Sequence, residues 1–155
     1  MNNKPTAIVI GGGQTLGAFL SKGLADAGYR VAVADLNGDN AERVAAEINA
    51  AHGAGTAAGF AADATNEAAV DELAAAVDRT FGRSDLLLYS AGVAKASPIW
   101  DFPLKDFQRS LDVNLTGYFL CARAFARLMI RDGIHGRIIE INSKSGKVGS
   151  KYNAG

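Results

Sequence analysis

Ala7-Ile8-Val9-Ile10-Gly11-Gly12-Gly13-Gln14-Thr15-Leu16-Gly17 is the stretch whose reading decides the fold. Four apolar residues in a row read as a strand covered on both faces. The glycines then turn the chain, and Leu16, Leu20 and Leu24 recur every four residues, which is a helical spacing. A buried strand, a glycine turn and a helix start, in that order, make a phosphate-binding corner. The first N–H groups of a helix have no partner within it, and the helix dipole adds positive potential there. Glycines remove the Cβ atoms that would hold a pyrophosphate away from those groups. On this reading Gly11 makes the tight turn, and Gly17 lets the helix lie close to the strand.

A second feature strengthens the reading. Dinucleotide sites need an acidic residue about 20 positions on, at the end of the next strand, to accept from the adenosine ribose hydroxyls. Asp35 lies 18 residues after Gly17 and closes the run Val31-Ala32-Val33-Ala34. The competing explanation is a parallel-sheet protein whose first turn is merely rich in glycine.

Working outward, strand-like runs alternate with helical patterns. Thr6 to Ile10 is followed by a helix from Leu16 to Ala27, and Arg30 to Asp35 by a helix capped at Asp39 or Asn40. That second helix carries Val44, Ile48 and Ala51 on one face. A weaker strand falls at Ala57 to Ala61. A third helix shows Val70, Leu73, Val77 and Phe81, and Leu86 to Tyr89 is a fourth strand. One long helix is expected over Leu104 to Arg131, lined by Phe107, Leu111, Leu115 and Phe119. Arg137 to Ile141 is a fifth strand. Apolar rather than alternating strands point to a doubly wound α/β parallel sheet with helices on both faces.

The 155 residues are expected to form one domain. Hydrophobic residues make up 48%, enough for a packed core. Sixteen Lys and Arg balance 16 Asp and Glu, so charge gives no argument for nucleic acid or an acidic membrane surface. No apolar run approaches the roughly 18 residues of a membrane span, and no leader precedes the first strand, so a cytoplasmic location is expected. Cys121 lies in an apolar helical stretch and reads as a buried thiol. His52 and His135 stand isolated, and no Cys/His/carboxylate spacing suggests a metal. Trp100 and Phe102, in a loop ahead of the long helix, are read as core packing in preference to lining a substrate mouth.

With these residues in view, the chain resembles the short-chain dehydrogenase/reductase family over essentially its whole length. The family's glycine motif falls on Gly11, Thr15 and Gly17, with Thr15 in place of the middle glycine. Its Asn-Ala-Gly motif after the fourth strand falls on Ser90-Ala91-Gly92, with Ser for Asn. Asp63, followed by Ala64, matches the family's acidic residue beside the adenine ring. Asn114 in Asp112-Val113-Asn114-Leu115 matches the long-helix asparagine, and Ser143 in Ile141-Asn142-Ser143 matches the catalytic serine.

The resemblance implies a Rossmann sheet, NAD as cofactor and a small-molecule substrate. It implies cofactor contacts from Gly11, Gly13, Gln14, Thr15, Leu16, Gly17, Asp35, Asp63, Ala64, Ser90, Ala91 and Gly92. Asn114 would order the long helix and a relay water, and Ser143 would hydrogen-bond the reacting oxygen. The segments Ile10 to Leu20, Gly117 to Arg123, Leu128 to Gly133 and Ile141 to Ser150 are similar to family members that interconvert sorbitol 6-phosphate and fructose 6-phosphate. Lys144 and Lys147 are then candidates for the substrate phosphate, against the plainer reading of a solvated loop. Asp35 implies NAD over NADP, because its charge repels a 2′-phosphate. Members of the family pair through the long helix, so a dimer or tetramer is expected of the full-length enzyme.

One part of the family pattern is missing. The family's base is a tyrosine 13 residues after the serine, with a lysine four further on, and from Ser143 that position lies just past Gly155. Tyr152 sits nine residues after Ser143 and does not substitute. The expectation is an N-terminal portion of a longer enzyme, truncated after the fifth strand and inactive as it stands. The alternatives are a non-catalytic NAD(H)-binding module, a short-chain dehydrogenase for another polyol or keto substrate, and a methyltransferase sharing the same strand-glycine-helix logic.

Overall fold

The computed structural model describes residues 4–144, 147 and 148. Five parallel strands form one sheet in the order β3-β2-β1-β4-β5. They are β1 (Thr6–Ile10), β2 (Arg30–Asp35), β3 (Ala57–Ala61), β4 (Leu86–Tyr89) and β5 (Arg137–Glu140). Crossovers put α1 (Thr15–Asp26) and α2 (Gly38–His52) on one face. They put α3 (Glu67–Phe81) and the helical run α4 (Leu104–Leu111) to α5 (Gly117–Arg131) on the other.

The apolar strand runs serve both faces, as their composition requires. Val9, Val31, Val33 and Leu88 pack with Val44 and Ile48 of α2. Ile8, Ile10, Leu87 and Tyr89 pack with Val70 and Val77 of α3 and with Leu120 and Phe125 of α5. The strand order reverses between β1 and β4, which lie side by side and parallel. The crevice at the carboxyl ends of these two strands is the place where open α/β sheets hold ligands.

Several local readings change. In α1 the buried stripe is Gly17, Ser21 and Ala25, while Leu16 is 49% exposed. The close approach of Gly17 to the glycine turn rotates the helix so that small residues face the sheet. α2 is capped by Asn37, whose side-chain oxygen accepts from the Asn40 N–H at 3.3 Å, rather than by Asp39 or Asn40. Ala51 is exposed at the end of that helix, past the core. His52 is not isolated, since its Nε2 lies 2.9 Å from Asp26 Oδ1. Trp100 is 78% exposed rather than in the core.

The long helix is interrupted by a π-helical turn, Asp112–Thr116. Such a turn widens the hydrogen-bonded ring, and here the Val113 carbonyl accepts from the Tyr89 hydroxyl. Burial pushes the Tyr89 phenol well above its ordinary value, so it stays protonated as a donor. Through this turn the stripe Phe107, Leu115 and Phe119 faces outward, and Leu120, Cys121, Ala124 and Phe125 make the core contact. Burial pushes the Cys121 thiol up to about 12, which makes it an inert packing residue.

The opposite end of the sheet is closed by charge. Asp85 accepts from the Thr6 N–H at 2.8 Å and from Arg83 Nε at 2.8 Å, and its carbonyl takes the Arg137 N–H at 2.9 Å. One residue thus ties the starts of β1 and β5. Burial alone would raise the Asp85 carboxyl, but the Arg83 bond, the Thr6 N–H and the Arg83 and Arg30 charges outweigh it and hold it low. A carboxyl lowered on folding adds stability above its unfolded value, near 4, and loses it as pH falls through the folded one. We expect urea midpoints of wild type and D85N to differ at pH 7 and to converge as the pH drops below about 4. A constant gap down to pH 2 would show that this ion pair does not contribute.

Candidate active site

The glycine turn is built as a set of committed hydrogen bonds. The Gly11 and Gly12 N–H groups both donate to the Ala34 carbonyl, at 2.8 and 2.9 Å. The Gly13 N–H donates to Asp35 Oδ2 at 2.9 Å. All three glycine amides are therefore tied to the end of β2 and are not the groups that would meet a phosphate. The N–H groups of Gln14, Thr15, Leu16 and Gly17, at the start of α1, have no acceptor among the described residues. The uncommitted donors begin at Gln14, one residue past the three glycines.

The glycines are needed for shape. Gly11 has φ +75°, and a Cβ there would lie 2.7 Å from the Ala91 nitrogen. A Cβ on Gly17 would lie 1.8 Å from the Gly11 carbonyl oxygen. Thr15, where the family pattern has glycine, is the single non-glycine residue with positive φ among the described residues, at +43°. A β-branched residue is strained there. We expect T15G to raise the urea unfolding free energy by about 1 kcal/mol. A loss of stability would mean that the Thr15 side chain makes up for its own strain.

One cavity gathers most of the residues singled out in the sequence. Gly11, Gln14, Thr15, Asp35, Asp63, Ala64 and Ser90-Ala91-Gly92 line it together with Leu36, Arg109 and Val113. Leu36 is 70% exposed and forms an apolar wall beside Asp35. Asp35 is almost fully buried, and its second oxygen accepts from the Asn37 N–H at 3.0 Å. It is therefore not a loosely solvated strand-end carboxylate. Asp63 accepts from the N–H and hydroxyl of Thr65. Arg30 bonds Thr6 Oγ1 and the Phe81 carbonyl at the far end of the sheet, too remote to offset the Asp35 charge.

Gly13, Leu16 and Gly17 do not line this cavity. Gly13 and Gly17 act through packing, and the Leu16 side chain is directed to the surface. Leu36, Arg109 and Val113 were not foreseen. Leu36 was available from its place directly after Asp35, whereas Arg109 and Val113 reach the cavity through the helical run.

A neighbouring cavity holds the other two candidates. Asn114 and Ser143 line it with Ala91 to Ala94, Glu140, Ile141 and Asn142. Asn114 is brought there by the π-helical turn. Its Oδ1 accepts from the Val93 N–H and its Nδ2 donates to the Val93 carbonyl, both at 2.9 Å. This paired bond fixes the loop that separates the two cavities. The Ser143 N–H donates to Asn142 Oδ1 at 2.7 Å. Glu140 is a carboxylate in this cavity that motif matching passed over. Lys144 and Lys147 line neither cavity, although the Lys144 carbonyl accepts from the Lys147 N–H. Lys151 and Tyr152 lie outside the described residues, and no metal-binding cluster occurs among the described ones. No helix is long and apolar enough to cross a membrane among them either.

Comparison with known proteins places this geometry. A family model described as short chain dehydrogenase matches residues 5–155. Sorbitol-6-phosphate 2-dehydrogenase of Escherichia coli K12 is 68% identical over 149 residues, covering 96% of this chain and 58% of that protein. The crystal structure of sorbitol-6-phosphate 2-dehydrogenase SrlD from Erwinia amylovora superposes with a TM-score of 0.94 at 71% identity. It covers 96% of this chain and 58% of that one. A 7α-hydroxysteroid dehydrogenase solved with NADH and 7-oxo glycochenodeoxycholic acid superposes with a TM-score of 0.88 at 30% identity, covering 96% of this chain and 56% of that one. The chain spans somewhat over half the length of the relatives it matches.

Proposed function

The chain belongs to the short chain dehydrogenase family, and from that premise we propose that its residues serve an NAD-dependent oxidoreductase interconverting sorbitol 6-phosphate and fructose 6-phosphate. The observation that carries the nucleotide reading is the cavity that joins the α1 N-terminus, Asp35, Asp63 and Ser90-Ala91-Gly92. The substrate reading is supported by similarity to the E. coli and E. amylovora enzymes.

The residues fit a dinucleotide. The N–H groups of Gln14 to Gly17 are uncommitted, and Gln14 and Thr15 line the cavity, so the start of α1 would meet an anion there with the helix dipole behind it. Each oxygen of Asp35 accepts one backbone N–H and keeps a lone pair, so the carboxylate can still take ribose hydroxyls. Its charge disfavours a 2′-phosphate, and we assign NAD rather than NADP on that ground. Leu36 and Val113 offer apolar walls, and Asp63 and Ala64 close the adenine end. Bound there, NAD would supply the hydride acceptor for the substrate carbon.

At the second cavity, Ser143 donates to the oxygen of the reacting carbon and orients it. Asn114 holds Val93, which keeps that oxygen's site next to the nucleotide cavity. Lys144 and Lys147 remain proposals for the substrate phosphate. The outward stripe Phe107, Leu115 and Phe119 is proposed as the subunit contact.

The test is direct. A chain extended to the length of the relatives should oxidise sorbitol 6-phosphate with NAD, while residues 1–155 alone should bind NADH without turnover. Failure of the extended chain on sorbitol 6-phosphate, with activity on another polyol, would retain the family and discard the substrate.

A further inference from the structure

Gly13 is held from both sides. Its N–H goes to Asp35 Oδ2 at 2.9 Å, and its carbonyl accepts from Arg43 Nη2 at 3.0 Å. Arg43 sits on α2, 30 positions away in sequence. Its other nitrogen, Nη1, lies 2.8 Å from Glu47 Oε1, one helical turn on, and Glu47 Oε2 reaches Lys22 on α1. The guanidinium is thus oriented by α2 and fixed against the start of α1.

The consequence follows from peptide geometry. In a planar trans peptide the C=O and the next N–H point in opposite directions. Holding the Gly13 carbonyl toward Arg43 therefore sets the direction of the Gln14 N–H, the first of the uncommitted donors. Without Arg43, that carbonyl and the Gln14 N–H could turn together about the glycine, which resists rotation least of all residues. A carbonyl turned toward the cavity would present a negative dipole to a phosphate.

We propose that Arg43 is a positioning residue of the dinucleotide site, which holds the Gly13 carbonyl out of the cavity and so aims the Gln14 N–H at the pyrophosphate. This rests on the nucleotide reading given above. The Arg43 side chain is half exposed, so removing it leaves the core intact.

The experiment is a calorimetric titration of the wild-type, R43M and R43K chains with ADP-ribose and with adenosine. R43M is expected to weaken ADP-ribose about tenfold, or about 1.4 kcal/mol, at both low and high salt, and to leave adenosine within about twofold. R43K, which keeps a donor, should recover most of the loss. The proposal is overturned if R43M leaves ADP-ribose binding unchanged, if it weakens adenosine equally, or if its effect vanishes at high salt as a long-range charge effect would. Should the wild-type chain bind neither ligand, the nucleotide reading itself fails, a result distinct from any of these.

Discussion

A single methyl group on residue 17 is expected to cost about 3 kcal/mol or more of folding free energy. The reason is local and backbone-bound: in G17A the new Cβ would stand 1.8 Å from the Gly11 carbonyl oxygen, with the Gly11 carbon at 2.8 Å and the Gly12 Cα at 3.0 Å. None of these is the end of a flexible side chain. The turn can relieve the clash only by moving α1 off the sheet, and that also breaks the Gly11 and Gly12 bonds to Ala34. Gly23, six residues on in the same helix, is the control. A Cβ there meets nothing within 4 Å, so G23A should gain up to about 1 kcal/mol from helix propensity. Urea unfolding of the two variants reads the contrast, and NADH binding should vanish with G17A. Equal stability of G17A and G23A would show that the strand-to-helix approach is not as close as described.

Asp35 carries the second large effect, because it does two jobs. Its oxygens satisfy the Gly13 and Asn37 N–H groups, and its charge lines the cavity proposed for the nucleotide. In D35A both donors lose their acceptor, the first of them in a buried place, at a cost of about 2 to 4 kcal/mol. D35N retains the size of the side chain and one of the two acceptor oxygens while removing the charge, so it costs less stability than D35A. The preference for NADH over NADPH should then fall by at least about tenfold, equivalent to about 1.4 kcal/mol. Unfolding curves together with NADH and NADPH titrations of both variants check this. An unchanged cofactor ratio in D35N would assign Asp35 a purely structural role.

The sheet was legible because parallel strands covered on both faces write themselves as apolar runs. Even β3, Ala57–Ala61, with its weak composition, falls where the alternation of strands and helices requires it. Helix faces were harder to read. Leu16, Leu20 and Leu24 have a helical spacing, yet the face of α1 that meets the sheet carries Gly17, Ser21 and Ala25. Close packing selects small residues there, and a hydrophobicity pattern does not register them. The π-helical turn at Asp112–Thr116 has no signature in spacing, and it is the feature that brings Asn114 to Val93.

The candidate site shows the same division. Gly11, Thr15, Asp35, Asp63 and Ser90-Ala91-Gly92 converge as their motifs imply, since each ends a strand or follows one. What the motif did not convey is that the Gly11, Gly12 and Gly13 amides are spent on β2, or that Arg43 grips the Gly13 carbonyl. Those are long-range hydrogen bonds, and nothing in local sequence encodes them.

The most direct test of the account is a calorimetric titration of this chain with NADH and then with NADPH. Binding of NADH, with NADPH at least about tenfold weaker, is the predicted result. Equal or tighter binding of NADPH, or no binding of NADH at all, would contradict it.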